Sequence, residues 1–450
     1  MQFEGKKVLV IGAGKSGVAA ARFLATKKAD VALTDIKTAA ELPEAAALGV
    51  KTFLGAYPPV AGFDLVVVSP GVPLTVEPVV EAREQGIEVT GELELAFRLT
   101  SAPVVAITGT NGKTTTTALI GEIFRTAGWR TLVAGNIGTP LISVVESDTP
   151  PDVIVAEVSS FQLETTRLFR PRVGVILNVT PDHLDRHRTM ADYAAAKARI
   201  FVNQGEGDAT VLNLDDPLTA AMKGRSPALE LFFSRRHNLE SGAFVRNDKL
   251  IFAHQRALME ICGVGEISIP GAHNLENALA AVAAAGFMDV PAHVIGRTLQ
   301  DFKGVTHRLE FVDEIDGVRY VNDSKGTNPD AAIKALEAYD RPIVLIAGGR
   351  NKGSRFDTFA AKVKEKARVL VVLGESAEEI ATAAAAAGVN LIFRAKGFKE
   401  AVHIAREAAR PGDVVLLSPA CASWDMFRNY EERGELFKQT VREIANRIKS

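Results

Sequence analysis

Short apolar runs recur along the chain and alternate with longer, alanine-rich stretches of helical period. Residues 8–11, 65–68, 104–108, 153–158, 173–179, 343–347, 369–373 and 414–417 are apolar or β-branched at nearly every position. Strands of that kind are covered on both faces, and strands alternating with helices build parallel, doubly wound sheets. Turn-rich joints divide the pattern into three blocks, 1–100, 101–303 and 304–450. The expected fold class is therefore α/β in three domains: a Rossmann-like N-terminal domain, a central P-loop ATPase-type domain on a mostly parallel sheet, and a Rossmann-like C-terminal domain. Residues 231–270 break the rhythm and read as hairpins on the flank of the second domain. No internal repeat is visible, and the alanine run 383–387 reads as ordinary helix.

At 450 residues the chain exceeds what one hydrophobic core supports, so two or three domains of about 100–200 residues are expected. The 52 Lys and Arg nearly balance the 54 Asp and Glu, and a net charge of −2 argues against a nucleic-acid binder, which needs a basic surface. Cys262 and Cys421 stand far apart without metal-ligand spacing, which points to a reducing, cytoplasmic compartment and no disulfide framework. Lys6-Lys7 followed by an apolar run resembles a signal peptide at first sight. Glycines break that run at once and Arg22 follows, so it reads as a first strand. No uninterrupted apolar stretch reaches the roughly 18 residues of a membrane span.

Several places carry candidate chemistry. The strand 104–108 empties into Gly109-Thr110-Asn111-Gly112-Lys113-Thr114-Thr115, a glycine loop ending in Lys-Thr at a helix start. Backbone N–H groups and the helix N-terminus there can cradle phosphates, Lys113 can reach the β/γ-phosphates, and the Thr114 hydroxyl can hold Mg²⁺. A standard Walker A loop has glycine where this chain has Ile107, so the loop is a shortened variant. Gly12-Ala13-Gly14-Lys15-Ser16-Gly17 follows the first strand, and Asp35 stands about 20 residues on, matching the dinucleotide fingerprint. Any pyrophosphate ligand fits that geometry, a uridine diphosphate or a dinucleotide; the triphosphate loop elsewhere favours the former.

Glu157 ends its strand just before Ser159-Ser160-Phe161-Gln162, a position from which a carboxylate can hold Mg²⁺ near a nucleotide, or simply face solvent. The segment Asn178 to His187, with His183, follows the next strand and is dense in hydrogen-bonding groups. Lys197 lies in an alanine-rich helix, where the expected state is a solvated lysine. Asn274 in His273-Asn274-x-x-Asn277 opens a helix as a cap. In the third block Arg308, the cluster 322–327 and Ser423 after the strand 414–417 lie at loops where a ligand can bind.

Taken together, Thr108 to Thr114, His273-Asn274-x-x-Asn277, Arg308 and Asp323-Ser324-Lys325, in that order, resemble the Mur ligase family, the ATP-dependent amino-acid-adding enzymes of peptidoglycan precursor synthesis. The resemblance spans essentially the whole chain. Within the family, 157–163, 178–187 and 418–434 look most like the branch that adds D-glutamate to UDP-N-acetylmuramoyl-L-alanine, and no Asp-Asn-Pro-Arg motif of the diaminopimelate- or lysine-adding members is present.

The resemblance implies that 1–100 binds the UDP-substrate, 101–303 ATP and 304–450 the amino acid. It implies UDP-substrate contacts at Gly14, Lys15, Ser16, Asp35, Lys37, Ser69, Gly71 and Asn136. For ATP it implies Gly109, Thr110, Asn111, Gly112, Lys113, Thr114, Thr115, Asn277, Arg308 and Asp323. Lys325, Thr327, Lys352, Ser423 and Tyr430 would receive D-glutamate. Two Mg²⁺ sites would draw on Thr114, Glu157, His183 and Lys197, with Lys197 carrying a CO₂-derived carbamate; Lys113, His183 and Lys197 form the catalytic set. A monomer is expected. Lys15 and Tyr430 depart from the family pattern, in which an uncharged residue and phenylalanine are expected, and both keep a plausible contact. A nicotinamide dehydrogenase would leave Lys113 and Thr114 idle, a non-enzymatic P-loop switch would explain the second block alone, and a folylpolyglutamate synthase would lack the glycine-fingerprint domain.

Overall fold

The structure, a computed structural model, describes residues 2–136, 138–145, 149–351 and 353–449. Three sheets follow one another along the chain, in the expected N-terminal, central and C-terminal α/β layout. The first holds β1 (Lys7–Ile11), β2 (Asp30–Asp35), β3 (Lys51–Leu54), β4 (Leu65–Val68) and β5 (Glu88–Gly91), all parallel in the order β3-β2-β1-β4-β5. Strand order reverses between β1 and β4, and the crevice beyond their C-terminal ends is where such sheets bind ligands.

The second sheet comprises β6 (Val104–Thr108), β7 (Thr131–Gly135), β8 (Val153–Glu157), β9 (Val173–Ile176), β10 (Ala209–Asn213), β11 (Leu229–Ser234), β12 (Gly242–Arg246), β13 (Lys249–His254) and β14 (Ala257–Gly263). Its order is β14-β13-β12-β11-β10-β9-β6-β8-β7. β6, β8, β9 and β10 are buried at every residue, as their unbroken apolar runs require. The segment read as flanking hairpins is an antiparallel meander only from β12 to β14; β11 and β12 pair in parallel and so extend the central sheet. The sequence pattern separates hairpins from parallel pairs poorly because partners, not local residues, decide it.

The third sheet orders β15 (Glu310–Ile315), β16 (Val318–Asn322), β17 (Ile343–Gly348), β18 (Ala367–Leu373), β19 (Ile392–Arg394) and β20 (Val414–Leu417) as β15-β16-β20-β17-β18-β19, antiparallel only at β15–β16. Apolar cores lie on its two faces, one around Leu345, Phe359 and Leu370, the other around Tyr320, Val371, Phe398 and Phe437.

The chain divides into two compact units, 1–266 with 276–300, and 267–275 with 301–450. The first unit carries two sheets because they share a core: Val8, Val10 and Leu33 from one and Ala106, Ile154 and Ile176 from the other belong to a single apolar cluster, with Leu93, Leu95, Leu141 and Phe169 between them. Two buried glutamates of the helix Glu92–Phe97 sit in that joint. Glu94 accepts from the backbone N–H groups of Arg167, Leu168 and Phe169 and from Arg98, so its charge is well met. Glu92 accepts from Ile142 N–H at 2.6 Å through one oxygen, while the other has no partner. Burial pushes its carboxyl up to about 7. Elsewhere in this unit Trp129 stacks on Phe124, rings 5.0 Å apart.

Candidate active site

In the first sheet, Gly12 turns the chain at φ +96° after β1, and a side chain on Gly17 would put its Cβ 1.8 Å from the Gly12 carbonyl. These glycines therefore let the helix Lys15–Thr26 start tight against the strand. Asp35 closes the turn from the second strand: its carboxylate accepts from Ala13 N–H at 2.8 Å and Lys37 N–H at 3.0 Å. Buried Ser69 donates its hydroxyl to the Gly12 carbonyl at 2.7 Å. The Gly14 and Lys15 positions and Gly71 are exposed, Ser16 half-buried, so backbone and side chains at this crevice face outward.

At the edge of the central sheet, β9, β6 and β8 lie side by side and bring three loops together. The β6 loop passes through Gly109 (φ +155°) and Gly112 (φ +84°), the residue before the helix Lys113–Thr126. A Cβ on Gly112 would lie 2.3 Å from Oδ1 of Asn277, so the Asn277 carboxamide sits directly against the loop. The β9 loop stitches itself to it: Asn111 N–H donates to Asn178 Oδ1, Asn178 Nδ2 donates to the Asn111 carbonyl, and the Thr110 hydroxyl exchanges hydrogen bonds with Thr180.

Two lysines converge on one carbonyl. Lys113 Nζ donates to Gly109 O at 2.9 Å and Thr110 O at 2.7 Å, and Lys197 Nζ donates to the same Gly109 O at 2.8 Å. Lys197 is 1% exposed with its ammonium position 4.3 Å from the centre of the Tyr193 ring, so the expectation of a solvated lysine fails. Its helix Met190–Ala198 buries the Tyr193/Lys197 face against the loop after β6, where Tyr193 and Lys197 meet Thr110 and Gly109, a choice set by tertiary packing. Burial, and then the neighbouring Lys113 charge, hold the Lys197 amine well below the usual lysine range.

From β8, Glu157 is 3% exposed; one oxygen accepts from Asn136 Nδ2 at 2.9 Å and the other is buried without a partner. An anionic oxygen with no donor, beside a phosphate loop, suits a cation. Among the described residues no three His, Cys, Asp or Glu side chains cluster as a metal cage. His183 begins the turn Leu184–His187 at φ +53°, its ring against Phe161 at 4.9 Å. His187 is buried, with Nε2 2.9 Å from the Ser160 hydroxyl, and desolvation lowers its pKa.

In the second unit, Asp323 after β16 is 1% exposed, 3.8 Å from Arg308, and accepts from the Ser418 hydroxyl at 2.7 Å. Burial raises its pKa despite those partners. Lys325 lies over the Tyr430 ring at 5.3 Å, Thr327 is half-buried, and Ser423 is buried next to Trp424, which is 58% exposed. Thus tyrosine at 430 keeps an aromatic face for Lys325. Lys352 lies outside the described residues. Asn274 is not the helix cap expected: the helix Ala272–Phe287 begins two residues earlier, and Asn274 Nδ2 donates back to the Pro270 carbonyl.

Sequence reasoning missed several supports. Arg433 is 1% exposed and donates to Ser324 and to the Cys421 carbonyl, tying together the loops after β16 and β20. Tyr193 and Glu92 are equally silent in sequence, since a charged or polar residue on a helix reads first as a solvated face. Their neighbours come from distant segments, and no local signal could have found them.

Three family descriptions match the chain: "Mur ligase MurD-like, N-terminal domain" over 6–91, "Mur ligase middle domain" over 107–285, and "Mur ligase, glutamate ligase domain" over 307–421. The chain is 62% identical over 445 residues to the UDP-N-acetylmuramoylalanine--D-glutamate ligase of Pelotomaculum thermopropionicum, covering 98% of each chain. It is 49% identical over 453 residues to the enzyme of that name from Thermoanaerobacter sp. (strain X514), covering 99% of this chain and 100% of the other. Among solved structures, UDP-N-acetylmuramate-alanine ligase from Thermotoga maritima shares the fold at a TM-score of 0.61 and 19% identity, over 97% of this chain and 99% of that one. A MurF ligase from Thermotoga maritima in complex with ADP aligns at a TM-score of 0.62 and 18% identity, over 92% and 96%.

Proposed function

The chain belongs to the Mur ligase family, and from that premise we propose that it joins D-glutamate to UDP-N-acetylmuramoyl-L-alanine, consuming ATP and releasing ADP and phosphate, in the cytoplasm and as a monomer. The dinucleotide and switch readings fall away with it. We divide the labour as 1–100 for the UDP-substrate, 101–303 for ATP and 304–450 for D-glutamate. The observation that carries the reading is the meeting of Lys113 and buried Lys197 on Gly109 O at the mouth of a loop shaped for a triphosphate.

A carboxylate is a poor electrophile, so the substrate's alanyl carboxylate first takes the γ-phosphoryl group of ATP to become an acyl phosphate. That transfer requires alignment and positive charge more than covalent help. Gly109, Thr110, Asn111, Gly112 and Thr115 would offer backbone donors, and Lys113 would leave its loop carbonyls for the phosphates. Asn277, Arg308 and Asp323 would hold the rest of ATP. Mg²⁺, where bound, neutralises phosphate charge; Thr114, the unpartnered oxygen of Glu157, His183 and Lys197 would hold it at two sites. Lys197 is suited to a carbamate: its burial favours the neutral amine, which adds to CO₂ and releases a proton, giving an anion in place of a second cation beside Lys113.

Gly14, Lys15, Ser16, Asp35, Lys37, Ser69, Gly71 and Asn136 would line the nucleotide substrate's path. The D-glutamate amine, presented by Lys325, Thr327, Lys352, Ser423 and Tyr430, would attack the acyl phosphate as the free base and expel phosphate, with His183 or a nearby carboxylate taking the proton. Phosphate release measured with UDP-N-acetylmuramoyl-L-alanine and, separately, D-Glu, L-Glu, L-Lys and diaminopimelate tests this reading. Release is expected with D-Glu alone, and equal release with L-Lys or diaminopimelate would overturn it.

A further inference from the structure

Phe161 is the centre of a stack. The His183 ring meets it at 4.9 Å, the His187 ring lies nearly parallel to it at 5.3 Å, and the Arg186 guanidinium stands 4.3 Å from its centre. The Arg186 fork is held at both ends. Nη1 donates to the Pro70 carbonyl at 2.7 Å and Nη2 to the Glu164 carboxylate at 2.6 Å. Pro70 lies between Ser69 and Gly71 in the loop after β4, whereas Glu164 follows the single turn Ser160–Leu163 after β8. One side chain, 15% exposed, therefore touches the nucleotide-side loop of the first sheet, the turn behind Glu157, and the ring on which His183 rests. Arg186 also lines a cavity of about 530 Å³ together with Leu74, Glu164, His187, Arg188 and Arg199. Open space on that flank means that its two hydrogen bonds and the stack, more than close packing, set its position. Only a planar guanidinium can stack on a ring while spanning two acceptors; a lysine ammonium lacks that geometry.

We propose that Arg186 is a positioning residue that couples occupancy of the 69–71 loop by the nucleotide substrate to the orientation of His183, through Phe161. The inference rests on the reading of Ser69 and Gly71 as nucleotide contacts and of His183 as a reaction-site group. A substrate that draws the loop towards itself shifts the Pro70 carbonyl, the guanidinium follows, and the ring beneath His183 follows in turn. The coupling then acts through His183 on turnover, and leaves the binding of ATP and of D-glutamate alone.

The test combines kinetics with histidine-ring NMR on the full-length enzyme, the His183 signals being assigned by their loss in His183→Gln. In the wild type, titration with UDP-N-acetylmuramoyl-L-alanine is expected to shift those signals. In Arg186→Met the shift should vanish, KM for the nucleotide substrate should rise about fivefold or more and kcat should fall, while KM for ATP and for D-glutamate stays within about twofold. Arg186→Lys keeps the charge and stem, so it guards against a folding loss; it should recover less than half of the response. A folded Arg186→Met or Arg186→Lys enzyme whose His183 signals still move and whose nucleotide KM is unchanged overturns the coupling alone. A wild type that neither binds nor ligates this nucleotide overturns the functional reading and the coupling with it.

Discussion

At the scale of single residues, the two lysines on the Gly109 carbonyl separate by what surrounds them. If Lys113 serves ATP as proposed, Lys113→Ala is expected to cut ATP-dependent phosphate release by at least about 10³-fold with its melting temperature little changed; a variant keeping a tenth of wild-type turnover would refute the assignment. Lys197 answers to its own burial. Lys197→Ala should be nearly inactive, regain part of its activity with added acetate or formate, and the wild type should slow when bicarbonate is removed; full activity in the variant would count against a carbamate. Glu92 supplies a stability test. Its folded pKa of about 7 exceeds the ordinary carboxylate value of about 4.5, so the folded state holds the extra proton between those values. Stability from this group is full below the lower value and is lost as pH rises through about 7, by roughly 3 kcal/mol. Glu92→Gln keeps an oxygen for Ile142 N–H and carries no charge, so it should gain stability over wild type at pH 8 and little at pH 4 in denaturant titrations.

At the scale of elements, loops that follow strands could be read in advance because their chemistry is local. Gly12, Gly14 and Gly17, or Gly109 and Gly112 before Lys113, announce themselves by spacing, and Glu157 and Asn178 by the end of an apolar run. Gly112→Ala tests that local logic: a side chain at φ +84° and 2.3 Å from Asn277 should raise the KM for ATP about tenfold or more, with the KM for the nucleotide substrate unaffected. What stayed hidden depends on which face a helix buries. Lys197 and Arg433 occupy ordinary-looking helical positions, and only the packing of Tyr193 on the triphosphate loop, or of the helix Tyr430–Lys449 beneath the β16 and β20 loops, turns them inward. The 231–270 segment hid for a related reason, since the parallel β11–β12 pairing is chosen by partners far along the chain.

At the scale of the whole molecule, three sheets make two units because the first two sheets share one core and the third has its own on both faces. A fragment spanning 301–450 is therefore expected to melt cooperatively by circular dichroism, whereas 1–100 alone should bind a hydrophobic dye and unfold without a sharp transition; a cooperative melt of 1–100 would show that the joint is dispensable. The chain has only two tryptophans, and each unit holds one. Trp129 is stacked on Phe124, while Trp424 stands largely in water beside Ser423. Each half thus holds an intrinsic fluorophore with contrasting surroundings: emission from Trp129 should be the bluer, emission from Trp424 the redder and the more readily quenched by iodide. With either indole replaced by phenylalanine, the remaining glow reports on a single half of the enzyme, unlabelled and in real time.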